Sequence, residues 1–322
     1  MADHLNWPLV RPRARVIIDN DYSGDPDDLI QTVHHLLSPS VDIPFFIASH
    51  LSVGDGWDPS EQQAANAEAE LRKLLGVMGL AGNHQVYRGA EKAIVSTTTP
   101  QDTPAARAII AEAMRQDTEL PLYYAAGAGL TELASALLIE PAIADRLTLV
   151  WIGGAEYPEL ADPPPNADVM EYNLRIDVAA AQAVFRSNLP IWQVPRNVYR
   201  QILMSYAELQ TAVAPHGRLG RYLTQSIERI MDRLLDRPQT IGETYAMGDS
   251  PLVTLTALQS AFQPDASSSS YVWHERLSIG DDGLYGPPSG GSRIRVYTQI
   301  DTRLTFSDLF GKLQIWATSS KP

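Results

Sequence analysis

The chain has 322 residues, of which 44% are hydrophobic and 20% charged, and its formal net charge is −13. This composition is typical of a globular protein with a sizeable core, and it excludes a disordered chain. The acidic balance excludes nucleic-acid binding through a general basic surface, and the absence of cysteine excludes disulfides, thiolate metal sites and cysteine nucleophiles.

Apolar runs alternate with helical patterns through the first half of the chain. The β-branched run at 15–19 predicts a buried strand that enters an acidic turn, and two aspartates then open a helix over 29–37. His34 and His35 lie on this helix, and we expect one to pack and the other to face solvent. The pattern then predicts strands at 44–48, 86–88 and 120–125 and helices over 61–75, 105–114 and 130–138.

The same alternation continues through the second half. It predicts strands at 147–152, 191–194 and 293–300 and helices over 178–185, 206–235 and 251–260, the second of them interrupted near 215–217. Regular strand–helix alternation predicts an α/β fold with a mainly parallel central sheet wrapped by helices. We expect one such domain over 15–322 after an N-terminal tail of residues 1–14. Ligands bind such sheets at the carboxyl ends of the strands.

Neither a signal peptide nor a membrane span is expected. Residues 1–12 contain no apolar run, and no stretch reaches the roughly 18 apolar residues that cross a bilayer. The sequence therefore predicts a soluble, cytoplasmic protein with neither a membrane nor a nucleic acid as partner.

A dense acidic cluster follows the first predicted strand. It consists of Asp19, Asp21, Asp25, Asp27 and Asp28. Carboxylates this close repel one another at neutral pH unless a cation or a proton intervenes. A hard, oxygen-preferring cation such as Ca²⁺ or Mg²⁺ fits the arrangement, and a solvated acidic loop is the alternative. An EF-hand is excluded, because position 12 counted from Asp19 is Ile30 and not Glu.

The cluster and several later segments carry a family resemblance. Asp19, Asp21, Asp27 and Asp28 match an Asp-x-Asp-x-x-x-Asp-Asp motif with two extra residues in the turn. The chain resembles the inosine/uridine-preferring nucleoside hydrolase family, which opens with a strand and this motif. Matching segments follow in the family's order at 52–55, 66–68, 129–134, 140–141, 151–154, 171–177 and 249–251. The resemblance spans about residues 15–313 and implies a single Rossmann-like domain of the nucleoside-hydrolase type.

The resemblance also implies a metal and a reaction. A Ca²⁺ ion at the pocket floor would be held by Asp21, Asp28, the backbone carbonyl of Gly127 and Asp249. Asp21 would act as general base and take a proton from a metal-bound water. The implied activity is hydrolysis of the N-glycosidic bond of a ribonucleoside, or of a related ribosyl compound, to ribose and free base.

Four further residues would bind the sugar if the resemblance holds. Asp27, Glu171 and Asn173 would contact its hydroxyls, and Asn166 would reach the 5′-hydroxyl. Such groups suit this chemistry, because carboxylate and amide oxygens stabilise the positive charge that an oxocarbenium-like sugar develops. The family also implies a role in purine and pyrimidine salvage and a homo-oligomer, either a dimer or a tetramer.

One departure from the family concerns the leaving base. The family places a His just before its late Asp, and this chain has Gly248 there. A substitute donor, or a leaving group that departs without protonation, is then required. The candidate substitutes are His84, His216 and His274, and the candidates to stack on a base are Tyr245 and Trp273.

Two other functions are compatible with the sequence. The missing His favours a metal-dependent protein that binds a ribosyl ligand with little or no hydrolysis. The acidic cluster alone also fits phosphoester hydrolysis on a carboxylate-bound Mg²⁺. This last reading ranks below the others, because the turn lacks the basic residue that stabilises a phosphate.

Overall fold

A computed structural model describes residues 7–168, 170–237, 241–260 and 262–319. Its strands are β1 (Ala14–Asn20), β2 (Val41–Asp42), β3 (Phe45–Ala48), β4 (Gln85–Arg88), β5 (Leu122–Ala126), β6 (Leu147–Ile152), β7 (Ile191–Val194), β8 (Leu203–Ser205), β9 (Thr244–Ala246), β10 (Ser270–His274), β11 (Leu277–Ile279), β12 (Tyr285–Pro288) and β13 (Ile294–Gln299).

The helices fill the connections between these strands. They are α1 (Asp27–Leu36), α2 (Gln63–Val77), α3 (Pro104–Ala113), α4 (Thr131–Ile139), α5 (Tyr172–Ile176), α6 (Val178–Arg186), α7 (Arg196–Tyr199), α8 (Tyr206–Glu208), α9 (Gly217–Leu234), α10 (Pro251–Thr256) and α11 (Thr302–Ser319). A 3₁₀ turn at Pro141–Asp145 and a π-helical turn at Leu209–Val213 complete the set.

The central sheet has nine strands in the order β10-β13-β7-β6-β5-β1-β3-β4, with β2 beside β1. Its pairs are parallel except for β10 and β13. The expected mainly parallel α/β sheet is therefore confirmed. Two antiparallel pairs, β8 with β9 and β11 with β12, lie outside it. Among the described helices, none is long and apolar enough to cross a membrane.

Helices cover both faces of the sheet, which explains why its strands read as continuous apolar runs. Along β1, Val16 and Ile18 belong to one core layer and Ile17 to the other, as the two-residue period of a strand requires. Residues of α1, α2, α9, α10 and α11 pack in the first layer, and residues of α3, α4 and α6 in the second. Loops at the carboxyl edge are thus held by a rigid scaffold.

The expectation that one of two adjacent histidines faces solvent is wrong. His34 and His35 are both buried, with exposed fractions of 1% and 0%. The reason is α11, for which the sequence pattern predicts no element. Asp308 on this helix contacts His34, with 2.7 Å between Nε2 and Oδ2. His35 Nε2 lies 2.8 Å from the Thr256 hydroxyl.

We expect His34 to make the protein acid-sensitive. Burial lowers its pKa from 6.5 to about 4, so between these values the unfolded chain binds a proton that the folded chain excludes. The free energy of unfolding therefore falls as pH drops through this window, by about 3 kcal/mol in all. Urea denaturation at a series of pH values from 7 to 4 measures the free energy of unfolding. We expect it to fall less steeply with decreasing pH for His34→Gln than for the wild-type protein. His216→Gln, on a surface turn, is the control that should keep the wild-type slope, and equal slopes for His34→Gln would contradict the prediction.

Candidate functional site

A cleft of about 230 Å³ opens at the carboxyl edge of the sheet. Loops that follow β1, β5 and β6 form its floor and one wall. Five carboxylates line it, from Asp21, Asp25, Asp27, Glu171 and Asp249. Its aromatic lining residues are Trp57, Tyr172 and Tyr199, and the remaining ones are Gly127, Ile152, Asn173, Ala246 and Gly248. This is where a parallel α/β sheet binds its ligands.

A tight turn between β1 and α1 supplies three of the carboxylates. The Gly24 N–H donates to the carbonyl of Asp21 at 2.7 Å, and a Cβ at Gly24 would lie 2.9 Å from Asp21 Oδ1, so a larger residue there would displace the Asp21 carboxylate. The chain then enters α1 with Asp27 and Asp28 in its first turn, where negative charge is stabilised by the helix dipole. Asp21, Asp27 and Asp28 are all buried as a result.

Gly127 and Asp249 meet at the floor of the cleft. The Gly127 N–H donates to the carbonyl of Asp19 at 3.0 Å, which extends the β1–β5 pairing by one residue. A Cβ at Gly127 would overlap the Asp249 carboxylate, so the absence of a side chain makes room for that carboxylate. The Asp249 N–H donates to Asp27 Oδ2 at 3.0 Å, which ties the late loop to the first turn.

Glu171 and Asn173 form the wall that follows β6. The Glu171 carboxylate is fully buried and caps α5 by accepting the N–H groups of Asn173 at 3.1 Å and Leu174 at 2.9 Å. It also accepts the Gly154 N–H at 2.8 Å and the Tyr199 hydroxyl at 2.6 Å. The Asn173 amide donates to the carbonyl of Ile152 at 2.7 Å. These bonds fix both side chains at the cleft.

Burial, reinforced by repulsion between neighbouring carboxylates, raises the pKa values of the carboxyl groups at the floor of the cleft. Burial raises the pKa of Asp21 well above its usual value, and the nearby carboxylates of Asp249, Asp55 and Asp25 raise it further. Burial and the charge of Asp249 raise the pKa of Asp28 in the same way. Burial also raises the pKa of Asp249 to about 7. Each shift has the sign that a bound cation would reverse.

The donor set suits a hard cation. One carboxylate oxygen each of Asp21, Asp28 and Asp249 is buried without a hydrogen-bond partner. Unpaired buried oxygens are costly unless an ion or a proton compensates them, and carboxylate oxygens are the ligands that Ca²⁺ and Mg²⁺ prefer. In the described ranges, no three or more His, Asp or Glu side chains form a ready-made metal cluster. The argument that this site suits a hard cation therefore depends on the carboxylate ligand type and on these three unpaired oxygens.

The cleft tyrosines are poor proton donors at neutral pH. The Tyr199 hydroxyl donates to Glu171, and the Tyr172 hydroxyl donates to Asp55 Oδ2 at 2.9 Å. Burial raises both pKa values above the usual range for a phenol, and the charge of Glu171 adds to the effect at Tyr199. These hydroxyls brace the carboxylates of the wall.

The structure separates the predicted site residues into two groups. Asp21, Asp27, Gly127, Glu171, Asn173 and Asp249 line the cleft, and Asp28 lies buried in the first turn of α1 behind it. Asn166 lies elsewhere. It is exposed in the loop after β6, with a left-handed φ of 60°, and does not line the cleft.

None of the candidate substitutes for the missing His lines the cleft. His84 precedes β4, at the amino edge of the sheet, and His216 precedes α9. His274 contacts Glu159, and Trp273 on the edge strand β10 is 50% exposed. Tyr245 lies beneath the wall, where its hydroxyl donates to Asp25 at 2.5 Å.

Sequence reasoning missed a buried network behind the floor. The Asp19 carboxylate accepts hydroxyl hydrogen bonds from Ser49 and Tyr124, and the Ser49 hydroxyl also lies 3.2 Å from Glu132 Oε2. Tyr199 was missed as well. No local signal identifies it, because it reaches the cleft only through the packing of the short helix α7. Asp25 carried a signal, since it belongs to the acidic cluster.

Comparison with known proteins agrees with this geometry. The family model described as inosine-uridine preferring nucleoside hydrolase matches residues 16–305. No curated protein matches the chain. A plant nucleoside hydrolase, PpNRh1, is 18% identical with a TM-score of 0.70, and the match covers 94% of this chain and 99% of that one.

Two further solved structures share the fold. The purine-preferring ribonucleoside hydrolase from Gardnerella vaginalis has a TM-score of 0.68 at 18% identity, covering 94% of this chain and 99% of that one. The type III effector protein XopQ, solved in complex with adenosine diphosphate ribose, has a TM-score of 0.62 at 13% identity, covering 98% of this chain and 96% of that one. At such identities the likeness establishes the fold alone.

Proposed function

This chain belongs to the inosine-uridine preferring nucleoside hydrolase family, and from that premise we propose that it is a Ca²⁺-dependent nucleoside N-ribohydrolase. It is a hydrolase acting on N-glycosyl compounds, and its family is metal-dependent. The observation that carries the finer proposal is the set of three unpaired, buried carboxylate oxygens on Asp21, Asp28 and Asp249 beside the cleft. Oxygen ligands of this kind favour Ca²⁺.

The proposed ion site uses the side chains of Asp21, Asp28 and Asp249 with the carbonyl of Gly127. When bound, the cation would supply Lewis-acid polarisation of a water and of the sugar hydroxyls. Asp21 accepts the proton of the attacking water as general base. Its carboxylate suits this role because it faces the cleft and has an oxygen free of hydrogen bonds.

Three other side chains hold the sugar in this proposal. Asp27, Glu171 and Asn173 bind its hydroxyls from the turn after β1 and the wall after β6. Fixing the hydroxyls supplies positioning, and the negative wall stabilises the positive charge that grows on the ring as the glycosidic bond breaks. Asn166 reaches the 5′-hydroxyl in this proposal only if its exposed loop moves toward the cleft.

Ribose release from a panel of nucleosides, measured by a reducing-sugar assay with and without a chelator, tests the activity. Chelator-sensitive release is the expected result, and restoration by Ca²⁺ but not by Mg²⁺ would identify the metal. A nucleoside that binds the Ca²⁺-loaded protein but survives long incubation would instead favour the ribosyl-binding alternative, to which the lack of a histidine among the described cleft residues points.

We expect Ca²⁺ to stabilise the folded protein. The buried carboxylates repel one another in the metal-free folded protein, and a bound ion reduces this repulsion. The ion therefore binds the folded state far better than the unfolded one. At a free concentration 100 times the Kd the gain is about 2.7 kcal/mol. Thermal melts at pH 8 with Ca²⁺ and with chelator measure this. A Tm that is the same in both would contradict binding at this cluster.

A further inference from the structure

The charge of the cleft bears on which leaving group it accepts. Its five carboxylates are accompanied by no Lys, Arg or His among the described residues that line it. A divalent cation on the floor would neutralise two negative charges and leave the wall negative on balance. Such a wall attracts positively charged ligands and repels phosphates.

Among the described residues that line the cleft, the titratable side chains are carboxyl groups and tyrosines, and no histidine is placed to protonate a departing base. A neutral base leaves a sugar readily only when a proton reaches it, and that task falls to a positioned side chain. The hydroxyls of Tyr199 and Tyr172 already donate hydrogen bonds to Glu171 and Asp55. Gly248 carries no side chain, and a Cβ there would begin 3.4 Å from both Asp27 Oδ2 and the Tyr199 ring.

We propose that the preferred substrates are ribosides whose base carries a positive charge conjugated to the glycosidic nitrogen, such as pyridinium or N7-alkylated purine ribosides. This inference rests on the proposed hydrolase function and specifies its substrate class. The C1′–N bond breaks with its electron pair remaining on nitrogen, which cancels the charge of the base. The water oxygen bonds to C1′, and the released water proton passes to Asp21 and then to solvent. No proton donor for the base is needed.

Asp25 and Trp57 are the side chains assigned to the cationic base. Asp25 lies on the cleft wall outside both the proposed ion ligands and the sugar contacts. One of its oxygens accepts the Tyr245 hydroxyl at 2.5 Å and the Asp27 N–H at 3.4 Å, which holds the carboxylate in place. Trp57 lines the cleft and its ring holds the Arg233 guanidinium 4.7 Å from the ring centroid, so a cationic base would take the place of that guanidinium. An indole face and a carboxylate together suit a flat cation.

Matched pairs of substrates test the proposal on the Ca²⁺-loaded wild-type protein. The kcat/KM value of each substrate is first divided by the rate of its uncatalysed hydrolysis. The resulting value for 7-methylinosine is then compared with that for inosine, and the value for nicotinamide riboside with that for uridine. We expect the cationic member to be favoured by about 10- to 100-fold, as a charge–charge contact in a partly solvated cleft allows. Equal or reversed ratios overturn the charge preference and leave the hydrolase function standing. Inactivity on all four substrates refutes the proposed function, and this inference with it.

The variant Asp25→Asn sharpens the test. We expect its cationic-to-neutral ratio of kcat/KM to fall about tenfold, because one negative charge beside the base is lost. If Asp25 instead protonates neutral bases, the variant loses activity on inosine more than on 7-methylinosine and the ratio rises, which overturns the proposal. Asp42→Asn, exposed on β2, is the control.

A second measurement requires no variant. N1-methylnicotinamide and nicotinamide differ by one methyl group and one positive charge, and both lack the sugar. Both compounds should inhibit wild-type turnover competitively. The inhibition constant of the cation, N1-methylnicotinamide, should be about tenfold lower than that of nicotinamide. A lower constant for neutral nicotinamide would overturn the proposal.

Discussion

Replacing Asp21 by Asn is expected to lower kcat by about 10³-fold, because the amide cannot accept the proton of the attacking water. The same change removes one of the three unpaired carboxylate oxygens proposed for the ion. Loss of turnover should therefore be accompanied by loss of the Ca²⁺-dependent rise in Tm. Single-turnover assays at saturating nucleoside and Ca²⁺ separate the loss of chemistry from weaker substrate binding.

Stability distinguishes this loss from unfolding. In the metal-free protein, the pKa of Asp21 is raised by burial and by its carboxylate neighbours, so its charge opposes folding at neutral pH. Asp21→Asn should consequently melt at a higher temperature than wild type in chelator, although it is inactive. Asp145→Asn, exposed before the amino end of β6, is the matched control and should retain both activity and the Ca²⁺ response. Turnover by Asp21→Asn close to that of wild type would contradict the assigned role.

The central sheet is predictable from sequence because both of its faces are covered. Strands such as β1, β5 and β6 are short apolar runs bounded by turn residues, a signal that stays local. The C-terminal part of the chain carries a weaker signal. Helix α11 has no clear apolar stripe, and Gly311 interrupts its pattern. Missing this helix is what led to the wrong expectation for His34, since burial of that residue depends on α11.

The site is predictable to the extent that it depends on local motifs. Asp27 and Asp28 begin the helix that follows the first strand, so the carboxyl-edge rule places Asp27 at the cleft and Asp28 just behind it. Asp249 is more than 200 residues away, and only its resemblance to a family motif indicated it. Tyr199 had neither signal. Asn166 shows the limit of local signals, because a residue near a motif in sequence lies on an exposed loop in the fold.

The substitution Gly127→Ala is expected to abolish activity through displacement of a carboxylate. The new Cβ would overlap the Asp249 carboxylate, and that side chain is buried and closely surrounded. Asp249 must therefore rotate away from the floor, which breaks up the proposed ion site. We expect Ca²⁺ affinity to fall by about 10- to 100-fold, as when a metal ligand loses its orientation. Isothermal titration calorimetry with Ca²⁺ measures this change in affinity.

A glycine in open space provides the control for this substitution. Gly311 lies in the middle of α11, where an added Cβ would meet nothing within 4 Å. Gly311→Ala should stabilise the protein by about 0.5–1 kcal/mol, because alanine favours a helix interior, and should leave Ca²⁺ affinity unchanged. If Gly127→Ala binds Ca²⁺ as tightly as Gly311→Ala does, Asp249 is not a ligand and the ion must bind elsewhere in the acidic cluster. If only Gly127→Ala loses the ion, the absence of a side chain at this turn is a requirement of the metal site.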